Sequence, residues 1–346
     1  MGSNRARAVV LGSGIAGSAA ALVLARLGYA VEVTPERESC GSSRLISVPG
    51  RILPLLAELG IVPAALGVRS VVRHAAIAWE DAAPARIAIA PKLHLDQAML
   101  EAALRDVVAR NPAICIGAEP GSPTVGEAPA RLIDASGRRS VTATAASFPE
   151  QRWVTRFWRL APPRLPNEGF ALAALSIGYA LRIGAGAQTL AGLAAPRSFI
   201  LDFAGFTQLL TEHGASWLLA GAGQHEAGAG GKSAMAKGGV SSVAWTTGWA
   251  DGAEPVGDAL LAGDTLCSQG VAWALSDVIH LHLPFDQRLA RAAERRYSHL
   301  ARLDDLARTN RFAAEPAWRD YAAFLCKGGR ETAARVFREE PALARA

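Results

Sequence analysis

The spacing of hydrophobic and polar positions changes several times along the chain, and each change marks a boundary between elements. Residues 8–12 ("AVVLG") are a short apolar run, 15–27 ("IAGSAAALVLARL") carry small and apolar residues at helical spacing, and 30–34 ("AVEVT") alternate again. Together they predict a strand, a tight turn, a helix and a second strand. A second helix is predicted at about 50–60 ("GRILPLLAELG"), ended by Gly60. Residues 70–90 alternate like a strand pair, and 94–110 ("HLDQAMLEAALRDVVAR") read as an amphipathic helix. "ARLIDASGRRS", at 130–140, is a strand ending in a turn.

From about 150 to 250 the pattern is strand-like and holds Trp153, Trp158, Trp217, Trp245 and Trp249, with one Gly-rich, flexible-looking stretch, "GAGQHEAGAGGKSAMAKGG". Residues 271–346 are mainly helical, and no internal repeat is evident. This order predicts an α/β fold with a discontinuous domain made from 1–70, 90–145 and 250–300. Residues 71–89 and 146–249 form an inserted β-rich part, and 301–346 a C-terminal helical segment.

Composition narrows the class. The chain has 346 residues, half of them hydrophobic, which is ample for a sizeable core. No apolar run reaches the roughly 18 residues of a membrane span. The first residues lack the apolar core and cleavage site of a signal peptide, so a cytoplasmic location is expected. Cys40, Cys115, Cys267 and Cys326 stand far apart with no C-x-x-C, which argues against a metal site and fits a reducing compartment. The net charge of +5 rests on arginines spread along the chain, with lysine only at 92, 232, 237 and 327. No nucleic-acid patch is indicated.

"VVLGSGIAG" places Gly12, Gly14 and Gly17 directly after a strand and at the opening of a helix. Gly12 permits the tight turn, Gly14 lets the backbone approach a pyrophosphate, and Gly17 lets the helix pack close to the strand. The helix start, with Ile15 and Ala16, then faces the phosphates. The spacing to an acidic residue for the ribose reaches Pro35, with Glu36 one place later and Glu32 inside the strand. Glu36 is the choice, against a plain surface charge. Arg44 either meets the adenosine phosphates or an incoming nicotinamide, or is solvated.

Two further segments point to flavin. "LIDASGRRS" resembles the D-A-[TS]-G-R turn of FAD-dependent monooxygenases, and "EPVGDALLAGDTLCSQGV" resembles their second flavin motif. "LHLDQAMLEAAL", which contains Gln97, resembles the H-x-D-x-x-L segment, and "SVPGRILPLLAELGI" the helix after the second strand. The chain thus resembles FAD-dependent monooxygenases of the para-hydroxybenzoate hydroxylase and flavin-dependent tryptophan halogenase group, over roughly half its length. The resemblance implies a GR2-type Rossmann FAD-binding domain with an inserted β-rich substrate domain and C-terminal helices. It makes Gly257-Asp258 the pair whose carboxylate holds the ribityl chain, and makes Gly270, followed by Val271, the opening of a helix beneath the isoalloxazine. Asp264 is expected to cap that helix, and Cys267 to fill the tight loop, against covalent attachment of the flavin there.

The resemblance also implies the chemistry: reduced flavin and O2 form a C4a-hydroperoxide, shielded from water. Its oxygen passes to an aromatic ring or is attacked by halide. Related halogenases use a lysine in the strand after the 50–60 helix, but the matching position here is His74 and no lysine lies from 1 to 91. Hydroxylation of an indole-like substrate, free or within a peptide, is therefore favoured over halogenation. A third option is a maturation flavoprotein acting on a tryptophan of a partner protein in tryptophylquinone biogenesis. His74 is the candidate acid/base, against a structural histidine, and the tryptophans are either core or an aromatic site. NAD(P)H or a separate flavin reductase is the expected reductant.

Overall fold

The computed structural model describes residues 5–34, 45–117, 128–138, 140–146, 153–160, 169–186, 188–199, 201–220, 235–236, 244–264, 266 and 268–339. Glu36, Arg44, Cys267 and most of the Gly-rich stretch at 221–239 lie outside them. In chain order the elements are β1 (Arg7–Leu11), α1 (Ile15–Arg26), β2 (Ala30–Thr34), β3 (Leu45–Pro49), α2 (Ile52–Glu58), β4 (Val68–Ala78), β5 (Ala85–Asp96), α3 (Gln97–Ala109), β6 (Ile114–Ile116), β7 (Arg131–Asp134) and β8 (Ala143–Ala146). There follow β9 (Trp153–Leu160), β10 (Gly169–Leu175), β11 (Gly178–Ala185), β12 (Gln188–Pro196), α4 (Phe203–Glu212), β13 (Met235–Ala236), β14 (Ala244–Trp249), β15 (Ala253–Pro255), β16 (Leu261–Ala262), α5 (Gly270–Ile279), α6 (Phe285–Thr309) and α7 (Pro316–Glu339).

The chain divides into two compact units. The first comprises Met1–Val68, Leu95–Pro149 and Val243–Leu289; the second comprises Arg69–His94, Glu150–Ser242 and Ala290–Ala346. In the first unit a five-stranded sheet runs in the order β15-β7-β1-β2-β6, and every pairing in it is parallel. Ala8 and Val10 of β1 are fully buried, as are Ala19, Ala20, Ala21 and Leu24 of α1. The small side chains allow α1 to lie close to the sheet and against α3 and α5. Parallel strands joined through helices are the arrangement the N-terminal pattern predicts. A three-stranded sheet in the order β16-β14-β8 completes this unit.

The second unit is built on a sheet in the order β13-β9-β12-β11-β10-β4-β5. Its strands are antiparallel from β13 to β10, and β10 pairs parallel with β4. Trp153 and Trp158 stand five residues apart on β9 and so point to opposite faces. Trp158 stacks on Phe206 of α4 at 4.5 Å, while Trp153 stacks on Tyr321 of α7 at 4.2 Å and meets Trp318 edge-on at 5.2 Å. Trp153, Trp158, Trp318, Tyr179 and Tyr321 are all buried. The core alternative for Trp153 and Trp158 therefore holds; Trp245 of the first unit is buried as well.

Several elements depart from the sequence reading: β3 and β6 are strands it did not include, and residues 203–212 form α4 rather than continuing the strands. Asp202 caps it, its carboxylate accepting the Gly205 N–H at 2.8 Å, and Gly214 leaves the helix end at φ +65°.

Candidate functional site

The turn after β1 is shaped by its glycines. Gly12 has φ +104°, and a Cβ there would lie 2.6 Å from the Ala135 carbonyl oxygen. A Cβ on Gly17 would lie 1.9 Å from the Gly12 carbonyl oxygen. The Gly12 N–H donates to the Thr34 carbonyl at 3.1 Å, and Ser18 Oγ donates to the Ser13 carbonyl at 3.0 Å. Gly14 is the N-cap of α1 and brings no capping side chain, and the first helical turn holds no acid. Ile15 and Ala16, both half-buried, open the helix. This helix start presents backbone donors and the positive end of the dipole without an internal counter-charge.

The turn after β7 is organised by Asp134, which is fully buried. Its carboxylate accepts the Ser136 N–H (3.0 Å) and hydroxyl (2.5 Å), the Ser140 hydroxyl (2.7 Å), and the Thr142 N–H (3.0 Å) and hydroxyl (2.7 Å). Burial pushes the Asp134 carboxyl up, but these hydrogen bonds outweigh it and hold the pKa below the ordinary value. The turn places Ala135 against Gly12 and Gly17, and aims Arg138 at the segment 257–264.

There the Val256 N–H donates to the Asp134 carbonyl at 2.9 Å. Gly257 has φ +59°, and a Cβ on it would come within 3.0 Å of Ala16 Cβ and 3.2 Å of Ala274 Cβ. The Gly257-Asp258 turn is thus wedged between the start of α1 and the body of α5. Arg138 Nε faces Asp258 Oδ2 at 3.3 Å, and Arg138 Nη2 donates to the Gly263 carbonyl at 2.8 Å. Among the described residues, a Cβ on Gly270, the first residue of α5, would meet only Asp258 Oδ1, at 3.9 Å. The N-cap Gln269 contributes no capping bond to α5, and its side-chain oxygen instead accepts from Arg51. Val271 is half-buried in the first turn.

An ionic group supports this turn. Glu254 on β15 accepts from Arg131 of β7 at 2.9 and 2.5 Å and also from Arg288, and Arg131 reaches the Leu281 carbonyl at 2.7 Å. Burial opposes the Arg131 charge, but the Glu254 carboxylate raises its pKa above the usual value. For Arg288 burial prevails and the pKa is lowered. Asp277 of α5 accepts the Gly257 N–H at 3.3 Å.

Gly12, Gly14, Ile15, Ala16, Gly17, Asp258, Gly270 and Val271 therefore gather at one place in the first unit. Gln97 opens α3 and donates to Glu101 at 2.7 Å, while Asp96 caps that helix through the Ala98 N–H at 2.9 Å. Glu32 pairs with Arg7 at 2.6 Å. Asp264 does not cap α5: its carboxylate accepts the Leu266 N–H at 2.8 Å, a local turn ahead of the helix. His74 lies on β4 in the second unit, exposed to solvent. Arg138 enters the sequence reading only as the last residue of the D-A-[TS]-G-R turn, with no contact assigned to it. Its signal was present in "DASGR", but its partners lie 120 and 125 residues away.

The fold is that of FAD-dependent monooxygenases and flavin-dependent halogenases. The chain is similar to the peptidyl tryptophan dihydroxylase QhpG, essential for tryptophylquinone cofactor biogenesis (TM-score 0.67, 21% identity, 92% of this chain and 78% of that one). It is also similar to the myxobacterial chondrochloren halogenase CndH (TM-score 0.65, 18% identity, 98% and 92%). A third similar structure is Pseudomonas aeruginosa PqsL in complex with 2-aminobenzoylacetate (TM-score 0.62, 14% identity, 97% and 100%). No family model matches the sequence, and no curated protein does.

Proposed function

We propose that this chain is an FAD-dependent monooxygenase that hydroxylates an aromatic, indole-like substrate, free or peptide-borne. The observation that carries the proposal is the meeting of three distant segments, 12–17, 134–138 and 257–271, around two helix starts whose N-cap residues, Gly14 and Gln269, make no side-chain cap. The residues present fit FAD. The α1 start, opened by Gly12 and Gly14, would hold the pyrophosphate on its backbone donors. Asp258 would accept from ribityl hydroxyls, and the α5 start at Gly270 and Val271 would set N–H groups toward the flavin's pyrimidine edge. Glu36 and Arg44 keep their assigned places at the ribose and phosphates, and Gln97 near the cofactor, on the strength of the resemblance. Bound FAD, once reduced, would supply the oxygen-activating chemistry. His74 is assigned the proton transfer at the substrate, and NAD(P)H or a separate reductase the delivery of electrons.

Likeness to QhpG favours a peptide-borne tryptophan over a free small molecule. Halogenation is less well supported: the first lysine is Lys92, whose ammonium sits 4.3 Å over the Phe170 ring, while His74 occupies the aligned position.

The visible spectrum of the purified protein, before and after addition of FAD, tests the cofactor. Absence of bound flavin after reconstitution overturns the proposal. Product mass with tryptophan-containing peptides, in buffers with and without chloride, then separates oxygen insertion from halogenation.

A further inference from the structure

Arg138, the arginine of the "DASGR" turn, makes contacts that the sequence pattern leaves unassigned. It leaves the tight turn after β7, and its guanidinium engages two points on another segment: Asp258 through Nε, at 3.3 Å, and the Gly263 carbonyl through Nη2, at 2.8 Å. It thereby joins the side chain of the first Gly-Asp step to the backbone of the second. Both ends of this link are independently constrained. At its origin, the Asp134 carboxylate holds the turn through Ser136, Ser140 and Thr142. At its destination, Gly263 has no room for a side chain, since a Cβ there would lie 2.8 Å from the Trp273 ring of α5.

The consequence concerns Asp258. With Oδ2 facing Arg138, the other oxygen, Oδ1, is the one turned toward Gly270 at the start of α5. A carboxylate on a short side chain can rotate. One whose far oxygen faces a fixed guanidinium keeps a single edge available to hydroxyl donors. The second grip, on Gly263, holds the loop that leads into α5, so one side chain sets the carboxylate and the helix start together.

We infer that Arg138 is a positioning residue for the cofactor: by holding Asp258 and Gly263 together it orients the carboxylate and the α5 start that receive the ribityl–isoalloxazine half of FAD, without serving the adenosine–pyrophosphate half. This rests on the FAD reading above. Asp258 and Arg138 are both part-exposed, with 39% and 27% of their side-chain surface open, so solvent screens the pair. The expected effect is accordingly moderate.

The test is titration of apoprotein with FAD, and separately with ADP, by calorimetry. Wild type is compared with Arg138→Gln, Arg138→Lys, Asp258→Asn and the double variant R138Q/D258N. We expect FAD affinity to fall about tenfold in R138Q, about 1.4 kcal/mol, with ADP affinity unchanged. R138K, which keeps a charge but not the fork, falls between the two. The double variant is no weaker than the weaker single variant, because the two side chains act as one unit. Equal loss of ADP and FAD affinity shows a general structural role and overturns the inference. So does additive behaviour in the double variant, or wild-type FAD affinity in both R138Q and R138K. If R138Q does not fold, R138K and D258N carry the comparison. Wild-type protein that takes up no FAD overturns the underlying reading instead.

Discussion

Replacing Glu254 by glutamine removes the charge that Arg131 and Arg288 share while leaving shape and volume almost unchanged. Arg288 is 2% exposed and, among the described residues, its Nε and Nη1 lack hydrogen-bond partners, so Glu254, with Asp277 as a second nearby charge, is the main compensation for its burial. Removing one partner from a buried ion pair costs about 3–5 kcal/mol, because the remaining charge stays desolvated. Arg131 and Glu254 retain 14% and 18% of their side-chain exposure, and that access to water places the expectation near the lower bound, about 3 kcal/mol. This is a large share of the roughly 5–15 kcal/mol that stabilises an ordinary domain. Urea unfolding should show the midpoint moving down at constant slope. Hydrogen exchange should be more local: protection of the β15–β7 ladder, which carries Glu254 and Arg131, should drop about a hundredfold. A loss under about 0.5 kcal/mol with unchanged protection in that ladder would place the group among solvated surface pairs and refute the supporting role assigned to it.

Gly17→Ala should abolish FAD uptake and destabilise the first unit, since the new Cβ would lie 1.9 Å from a backbone oxygen; a protein that still reconstitutes with FAD contradicts this. Gly28→Ala meets nothing within 4 Å but sits at φ +92°, so a loss of about 1 kcal/mol is expected from strain alone, read from the urea midpoint. Trp158→Ala, at a side chain 1% exposed and stacked on Phe206, should cost about 3–5 kcal/mol while leaving FAD affinity intact. A substrate-specific defect without that loss would restore the aromatic-site reading. His94 and His299 are held neutral mainly by burial, each with its pKa lowered from 6.5 to about 4. The unfolded chain therefore binds more protons between those values, so stability is full above pH 6.5 and falls as pH drops toward 4. Thermal unfolding at pH 7.5 and 5 should show this decline, and H94Q/H299Q should flatten it.

The parts of the molecule legible in the sequence were those whose physical cause is local. Gly12, Gly14 and Gly17 could be assigned because a tight turn, a close approach and a packed helix each demand glycine at a fixed spacing. The α1 and α3 helices appeared within three residues of their observed ends, since their apolar period persists to the caps. What escaped notice depends on distance or context. Arg138 and Asp258 are separated by 120 residues, and nothing in "DASGR" says which carboxylate it will face. Glu254 looked like one acid among many until the fold set two arginines against it. The α4 helix was missed although Asp202 and Gly214 mark its ends, because Phe203, Phe206 and Thr207 belong equally to a strand and the surrounding hundred residues read as strands. Asp264 had the composition of a helix cap but stands too far ahead of Gly270 to act as one.

Each of the two units is assembled from three separate stretches, and the chain passes between them at 68/69, 94/95, 149/150, 242/243 and 289/290. This imposes an order on synthesis. The first strand of the parallel sheet, β1, emerges at residue 7, but its edge strand β15 arrives only at 253, and the unit is not complete until Leu289. The second unit closes later still, with α7. A nascent chain must therefore hold an unfinished sheet edge from the completion of β7 at Asp134 until β15 begins at Ala253, the state in which exposed strands pair wrongly. Slowing translation after residue 150 should raise misfolding, whereas slowing it after residue 289 should affect the second unit alone.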